Sequence, residues 1–268
     1  MTTAEIYNNC KSFVALIAIF NENGMIGSGT GFLLESGHFV TNFHVLEKAL
    51  LDMYNGAPYI IKFIFENNVV QIQGEDIAVA RTQCCSEEHN NDYIILDLRS
   101  YLSPEFYESS FLQFDNMEPY IGQKCCLLGY PFGQKRLAIH ECVISSIYSR
   151  CGVNVYQLDG SVNNGNSGGP LVNAETGKII GIVSRKENGL DRMFNDLKHA
   201  VINNRDIILA QQATLQLGGL DVIEALTVSF TDMAKIIEQL ERSANVGIGY
   251  AFDINRIKED ITILTETM

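Results

Sequence analysis

The chain has 268 residues, of which 46% are hydrophobic and 19% are charged, a mix that favours one large folded domain, or one domain with an appendage, and argues against intrinsic disorder. The formal net charge is −13, so the sequence does not predict the basic surface of a nucleic-acid-binding protein or of a protein held on an anionic membrane. We therefore expect neither a nucleic acid nor a membrane as a partner.

The first long apolar run covers residues 13–20, which is too short for a membrane-spanning helix of about 20 residues. It has one basic residue before it and no small-residue cleavage site after it, so it does not resemble a signal peptide. We therefore expect a chain without a leader that works in the cytoplasm, where its seven cysteines stay reduced. A disulfide between Cys142 and Cys151, across a predicted hairpin, is the alternative.

The first half of the chain predicts short strands separated by turns rich in Gly and Asn, a pattern typical of a β-sandwich or barrel. These predicted strands cover residues 13–20, 29–35, 38–41, 59–65, 69–73, 77–80 and 93–96. A connector near residues 100–120 follows, and a second strand-rich half begins after it. The predicted strands of that half cover residues 124–129, 137–147, 153–158, 171–172 and 178–184.

From about residue 186 the pattern changes to that of helices. Apolar residues recur with helical spacing at Phe230, Met233, Ile237 and Leu240. Strand character returns at 246–252, and a final amphipathic helix carries Ile254, Ile257 and Ile261.

The segment from Asn164 to Pro170 carries the strongest chemical signal. Ser167 lies on a tight turn before an apolar strand, and Gly165 and Gly168 can adopt backbone angles that other residues rarely adopt. Such a turn presents a hydroxyl together with inward-facing N–H donors, which is the combination that acyl transfer needs. The sequence therefore predicts Ser167 as a nucleophile.

A nucleophilic serine needs a base, and five histidines are available. His44, at the end of the apolar stretch 39–45, is the preferred candidate. His38 lies in a turn and His89 in a polar loop, where solvation is the simpler explanation, and His140 and His199 have no motif around them.

The base in turn needs an acid that orients it and stabilises its charged form. Asp92 is the preferred candidate because it opens the predicted strand 92–96, with its side chain at the mouth of the strand. Asp97, one residue past that strand, and Asp76 are the alternatives.

The order His, Asp, Ser and the sequences around these residues resemble the chymotrypsin/trypsin-fold serine proteases, in particular the bacterial high-temperature-requirement (Deg-type) branch. The resemblance covers roughly residues 10–186 and 246–265. The motifs that carry it are Gly27-Ser-Gly-Thr-Gly-Phe32, Thr41-Asn-Phe-His-Val45, Asp92-Tyr-Ile-Ile-Leu96, Leu128-Gly-Tyr-Pro-Phe-Gly133, the segment 159–170 and Val246-Gly-Ile-Gly-Tyr-Ala-Phe252.

The resemblance implies a mostly β fold of two six-stranded antiparallel β-barrels, with a helical insertion and a C-terminal helix. It places the first barrel in residues 1–110 and the second in 111–186 with 246–268. Residues 187–245 are then an insertion beside the specificity pocket, much longer than the corresponding loop of relatives. We interpret it as a lid, an exosite or a docking element for an activating partner, or alternatively as a packing elaboration of the barrel.

The same resemblance implies the catalytic roles. Ser167 is the nucleophile, His44 the general base and acid, and Asp92 the residue that orients His44. The oxyanion hole lies in the segment Gly165, Asn166 and Ser167, with the N–H groups of Gly165 and Ser167 as its donors.

The resemblance also implies a substrate-binding wall and floor. Ser184 supports the acid and begins the wall that binds the substrate backbone, and Ser161 lies at the floor of the primary specificity pocket. Arg185 and Lys186 follow on the wall, where they favour an acidic or polar P1 side chain or else point into solvent.

Three departures from the family bear on regulation. No cysteine neighbours His44 or Ser167, so the disulfides of secreted relatives are not expected. Asn166 stands where secreted relatives carry the acid used in zymogen activation, so activation by N-terminal cleavage is not expected. A PDZ module after the closing strand is not expected either.

We therefore expect an intracellular serine endopeptidase that acts on protein substrates, needs no metal or cofactor, and is either constitutively active or latent until a partner acts at 187–245. The alternative is a catalytically silent binding module on a protease fold.

Overall fold

The computed structural model describes residues 1–73, 82–86, 91–110, 112–150, 152–184, 189–210, 216–243 and 247–266. The chain forms two compact units, Met1–Arg185 with Gly247–Met268 as the first and Lys186–Val246 as the second. In the described part, no helix combines the length and the apolar character needed to cross a membrane.

The strands and the helices are each numbered in chain order. The strands are β1 (Val14–Asn21), β2 (Gly24–Leu33), β3 (His38–Thr41), β4 (Ile60–Ile64), β5 (Val69–Gln73), β6 (Thr82–Ser86), β7 (Tyr93–Asp97), β8 (Lys124–Gly129), β9 (Ala138–Arg150), β10 (Val153–Asp159), β11 (Pro170–Asn173), β12 (Ile179–Ser184), β13 (Gln216–Leu217), β14 (Leu220–Asp221) and β15 (Ile248–Asp253). The helices are α1 (Thr3–Cys10), α2 (Phe43–Tyr54), α3 (Pro104–Glu108), α4 (Gly189–Ala210), α5 (Val222–Ser243) and α6 (Asn255–Glu266).

The first half of the chain forms one antiparallel sheet in the order β5-β4-β1-β2-β3-β7-β6. This differs from the expected six-stranded barrel, because the sheet has seven strands and the described residues show no pairing between its outer strands β5 and β6. The predicted strand at 77–80 lies outside the described residues. The core of this half is formed by fully buried side chains such as Phe32, Phe39 and Phe63.

The second half forms the expected closed six-stranded barrel, in the order β10-β15-β12-β11-β8-β9. The predicted bounds of β8 agree with the structure, and β12 begins one residue later than predicted. β12 is buried along its whole length, as expected of an uninterrupted apolar run. The last strand, β15, pairs with both β10 and β12 and so closes the barrel.

Three helices of the first unit have no counterpart among the predicted elements: α1 before β1, α2 between β3 and β4, and the short α3. α1 begins with a capping box, in which Thr2 and Glu5 exchange hydrogen bonds, and it buries Ile6 and Cys10. α2 begins one residue after β3 ends, and it buries Leu46, Ala49 and Met53.

The second unit is a helical hairpin. α4 and α5 each have 22 residues, and the short β13–β14 ladder turns the chain back between them, so the two helices run antiparallel. Val201 and Ile237 are its buried apolar residues among those described.

The thiols of Cys10, Cys125, Cys126 and Cys142 are free and buried. Burial raises the pKa of Cys10 and of Cys142 to about 12, so both remain protonated at neutral pH. Cys142 lies opposite Cys125 on the neighbouring strand. Its suggested disulfide partner, Cys151, lies outside the described residues.

Candidate active site

His44 is positioned by the junction of β3 and α2. Asn42 has an extended backbone (φ −71°, ψ 146°) and forms the N-terminal boundary of α2, so His44 lies in the first turn of that helix. The apolar pattern of residues 39–45 predicts His44 at the end of a strand, whereas it lies in the helix that follows. A fifth of its side chain, 20%, remains exposed to solvent.

Asp92 lies directly before β7 and is 1% exposed. Its carboxylate accepts two hydrogen bonds from His44, one from the backbone N–H to Oδ1 (3.0 Å) and one from Nδ1 to Oδ2 (2.6 Å). Ser184 Oγ approaches the same Oδ2 at 3.5 Å, and Asn42 Nδ2 donates to the Asp92 carbonyl at 2.8 Å. These contacts fix the tilt of the imidazole ring and the Nδ1-protonated form of a neutral His44.

The backbone of Asp92 is unusual, because its φ of +43° lies in the left-handed region. A residue other than glycine in this region costs free energy, which surrounding contacts must offset, and such residues concentrate at functional sites. Here the conformation turns the carboxylate toward His44 while its carbonyl binds Asn42.

The alternative acids do not reach His44 in the described residues. Asp97 lies at the other end of β7, where Arg99 binds both of its carboxylate oxygens at 2.9 and 2.6 Å. This hydrogen bonding lowers the pKa of Asp97. Asp76 lies outside the described residues.

The turn that carries Ser167 depends on two glycines with positive φ, +93° at Gly165 and +87° at Gly168. A Cβ at Gly165 would lie 2.2 Å from the Tyr130 carbonyl oxygen. A Cβ at Gly168 would lie 2.2 Å from Thr41 Oγ1, so this turn abuts the end of β3, three residues before His44. Sterics and backbone angle therefore both require glycine at these positions.

The turn is fixed by its own backbone hydrogen bonds. Gly168 N–H donates to Val183 O at 2.8 Å, which ties the turn to β12. Asn166 N–H donates to Asn163 O at 3.0 Å. This N–H is therefore bound within the turn, and the contribution of Asn166 to an oxyanion hole stays a prediction.

The Asn166 side chain is fully buried against Gly129, where a Cβ would lie 2.8 Å from its Oδ1. Neither its Oδ1 nor its Nδ2 has a hydrogen-bond partner among the described residues. A carboxylate in this place would be a buried charge, which is far more costly than a buried amide. An amide at position 166 is therefore less costly to bury than the acid that secreted relatives carry there.

The peptide between Asn164 and Gly165 has a defined orientation. Asn164 O accepts a hydrogen bond from Phe132 N–H at 2.5 Å. Because C=O and N–H point in opposite directions across a trans peptide, the Gly165 N–H is directed away from Phe132. It has no acceptor in the part of the chain that the structure describes. Phe132 itself has a φ of +57°, a second non-glycine residue in the left-handed region.

Thr30 was not predicted as a site residue, yet it binds the nucleophile turn at two points. Its N–H donates to Ser167 O (2.8 Å), and its hydroxyl donates to Gly165 O (2.5 Å). The same hydroxyl accepts from Tyr130 N–H at 3.0 Å, and the residue is fully buried. Its place in a glycine-rich strand was the only sequence signal.

The predicted substrate-binding residues are only partly described. Ser184 is buried at the end of β12 and reaches Asp92, and Ser161 is half-buried two residues after β10. Gly160 N–H donates to Gly247 O at 2.8 Å, which brings this segment beside the start of β15. Arg185 and Lys186 lie outside the described residues.

Known proteases resemble this chain in sequence. The family model of the trypsin-like peptidase domain matches residues 29–182, more than half of the chain. Protease Do-like 5 of the Arabidopsis thaliana chloroplast is 27% identical over 195 aligned residues, which cover 65% of this chain and 54% of the relative. The serine protease Do-like HtrA of Bacillus subtilis is 27% identical over 203 aligned residues, which cover 69% of this chain and 39% of the relative. The chain thus spans about half or less of the length of these relatives.

A solved structure shares the fold. An AlgW variant, an HtrA-type protease with a tripeptide, superposes with a TM-score of 0.56 at 17% sequence identity, covering 97% of this chain and 62% of that chain. At this level of identity the similarity shows the fold alone, and it confirms the trypsin-like architecture that the motifs predicted.

Proposed function

Because the chain belongs to the trypsin-like peptidase family, we propose that it is a serine endopeptidase that uses Ser167, His44 and Asp92. The observation that carries this proposal is the pair of hydrogen bonds from His44 to the buried Asp92, beside a serine turn held by glycines. Asp92 keeps the Nδ1 proton of His44 in place, so Nε2 is the basic nitrogen that remains for the serine proton.

The proposed reaction proceeds in two halves. Ser167 Oγ attacks the scissile carbonyl carbon while its proton passes to His44 Nε2, and the peptide π electrons move onto the carbonyl oxygen. The intermediate then collapses, the C–N bond breaks, and His44 gives the proton to the leaving amine. Water, deprotonated by His44, hydrolyses the acyl-enzyme by the same route and restores the Ser167 hydroxyl.

The negative oxygen of the intermediate is stabilised by the N–H groups of Gly165 and Ser167. The orientation of the Asn164–Gly165 peptide supports the role of Gly165, and the bonds from Thr30 to Gly165 O and Ser167 O support a rigid hole. Such a preorganised donor contributes about 10²–10³-fold to the rate. Because all of these contacts lie within residues 1–184, they favour activity without a partner over latency.

Specificity stays a prediction. A serine at position 161 gives the pocket a neutral floor, so we propose no preference for Lys or Arg at P1. An acidic P1 preference, based on Arg185 and Lys186, is tested by profiling a peptide library against the protein. Cleavage without a P1 bias would exclude it.

The proposed mechanism is tested by intact-mass analysis after exposure to a fluorophosphonate probe. We expect one adduct on the native chain and none on Ser167→Ala, whereas Ser145→Ala, an exposed serine on β9, retains the adduct. Labelling of Ser167→Ala at the native rate would contradict the proposed nucleophile.

The proposed acid is tested by a matched pair of variants. Asp92→Asn is expected to slow labelling by about 10³–10⁴-fold, because the amide selects the wrong tautomer of His44. Asp97→Asn, which removes a carboxylate from the other end of the same strand, is expected to leave the rate unchanged. Equal effects of the two changes would exclude Asp92 as the orienting acid.

A further inference from the structure

In the second unit, α4 and α5 pack through one stripe on each helix. The members of each stripe are separated by alternating steps of three and four residues, the heptad spacing of packed helices. On α4 the inward stripe consists of Phe194, Lys198, Val201, Arg205 and Ile208, and on α5 it consists of Ile223, Thr227, Phe230, Ala234 and Ile237. All ten residues are buried or half-buried.

Each helix also carries a second stripe with the same spacing, displaced by one residue toward its N-terminus. On α4 this stripe consists of Met193, Leu197, Ala200, Asn204 and Ile207, and on α5 it consists of Leu226, Ser229, Met233, Ile236 and Leu240. All ten residues are exposed. Seven of them are Met, Leu or Ile side chains with 40–56% of their surface accessible.

The two exposed stripes lie on the same side of the hairpin. A shift of one residue rotates a position by about 100° around an α-helix. Because α4 and α5 run antiparallel, the same shift on each helix turns its stripe toward the same side. We call the side of the hairpin that carries these ten residues the heptad face.

The other side of the hairpin differs in composition. It presents charged side chains, among them Asp206, Glu224 and Lys235, and its exposed large apolar residues among those described are Leu209 and Val228. Among the described residues, seven exposed large apolar side chains lie on the heptad face and two on the other side, so the apolar surface of the hairpin is concentrated on the heptad face.

The angle between the stripes indicates what covers the heptad face. In a four-helix bundle each helix has neighbours about 90° apart, whereas a third helix in the groove of a hairpin lies about 60° from the existing contact. The stripes here are about 100° apart. This angle suits a second layer of two antiparallel helices, and a second copy of the same hairpin supplies such a layer with the same spacing.

The size of the face indicates a small interface. It spans 15 residues of each helix, or about 22 Å, and two helices packed side by side over that length present roughly 400–450 Å². This is about half of the roughly 800 Å² that a standard interface buries on each partner, so the affinity depends on the seven large apolar side chains. We propose that the heptad face is a self-association surface through which two copies of the chain form a four-helix bundle.

The proposal is tested by sedimentation equilibrium of the full chain. We expect the native chain to have twice the mass of one chain, and Met233→Glu/Ile236→Glu to have half the native mass, because charges cannot be buried at the centre of the bundle. The control is Leu209→Glu/Val228→Glu, which replaces two equally exposed apolar residues on the opposite side. It is expected to keep the native mass.

A milder variant separates loss of self-association from unfolding of the hairpin. Met233→Ala/Ile236→Ala keeps residues of high helix propensity, so its far-ultraviolet circular dichroism should match the native chain, while its dimer dissociation constant rises by at least about tenfold. Three results would each overturn the proposal: a monomeric native chain, a glutamate variant that keeps the native mass, or a control that dissociates equally. Recovery of a monomeric chain in a stoichiometric complex with a different protein at this face would overturn it as well.

Discussion

Thr30 lies far from Ser167 in the sequence, yet its N–H and its hydroxyl both bind the turn that carries Ser167. It is the only described residue that donates to both Gly165 O and Ser167 O, the carbonyls at the two ends of the proposed hole. Through Tyr130 it also reaches the segment that holds the Asn164 carbonyl. The strand β2 thus connects the half that carries His44 to the half that carries Ser167.

Thr30→Val is expected to slow fluorophosphonate labelling by about 10²-fold, because the hole loses its bond to Gly165 O while the side-chain shape is kept. The unpaired backbone groups should also lower the free energy of unfolding by about 1–3 kcal/mol. Thr30→Ser is the control and should restore most of the rate. A native labelling rate in Thr30→Val would show that the turn needs no support from β2.

His38 is a residue whose protonation opposes folding. Burial and the nearby Arg99 lower its pKa, and the opposing effect of Asp97 is smaller. Its Nδ1 lies 2.9 Å from Ser36 Oγ, and its Nε2 has no partner within the described residues. Because the unfolded chain binds this proton more readily than the folded one, stability falls as the pH decreases through the unfolded pKa of about 6.5.

His38→Gln should therefore reduce the loss of stability between about pH 7.5 and about pH 5.5, as measured by urea unfolding. Asp97, whose pKa is lowered, loses its stabilising charge only below about pH 4 and does not contribute in this window. An unchanged pH dependence in His38→Gln would assign the acid sensitivity to another group.

At the scale of elements, the sequence predicted strands far better than helices. β5 and β8 agree with their predicted ranges because each is a short apolar or alternating run bounded by turn residues. The helix α2 was missed because its first residues, Phe43 and His44, continue the apolar run of β3 and hide the change of period. Only the later spacing of Leu46, Ala49 and Met53 indicates a helix.

The site was predictable where a local motif encodes it and not where tertiary contacts create it. The glycines around Ser167 indicate a turn that needs positive φ, so the turn that carries the proposed nucleophile could be predicted from the sequence. The role of Thr30 could not, because it depends on contacts with residues 100 and more positions away. The positive φ of Asp92 has no signal of its own in the sequence.

The final helix α6 is expected to stabilise the first unit through one face. Ile257 is fully buried in the main core, whereas Ile263 is 58% exposed. Ile257→Ala should lower the free energy of unfolding by about 2–4 kcal/mol, and the matched Ile263→Ala should change it by less than about 0.5 kcal/mol. Chemical denaturation of both variants measures the difference, and similar values would show that α6 does not pack as described.

At the scale of the molecule, the helical unit is inserted between two neighbouring strands of the barrel. β12 and β15 pair antiparallel, with Ser184 opposite Tyr250, so the chain leaves and returns at adjacent positions. The cytoplasmic location and an activating partner at residues 187–245 stay predictions.

Replacement of residues 187–245 by a Gly/Ser linker of about four residues should leave the first unit folded, because such a linker closes an ordinary hairpin between β12 and β15. We expect the shortened chain to react with the fluorophosphonate at the native rate and to lose self-association. A folded but unreactive product would instead show that the insertion is required for a competent site.

The same insertion sets the order in which the barrel is completed during translation. At about 5–20 residues per second, the ribosome needs roughly 3–13 s to pass from the end of β12 to the start of β15. In that interval β10 and β12 each have one unpaired edge, because β15 is the strand that pairs with both of them. The helical hairpin depends on local contacts, so it can form as soon as it is synthesised. A chain released before residue 248 therefore carries two open strand edges, the surfaces along which unfinished chains aggregate.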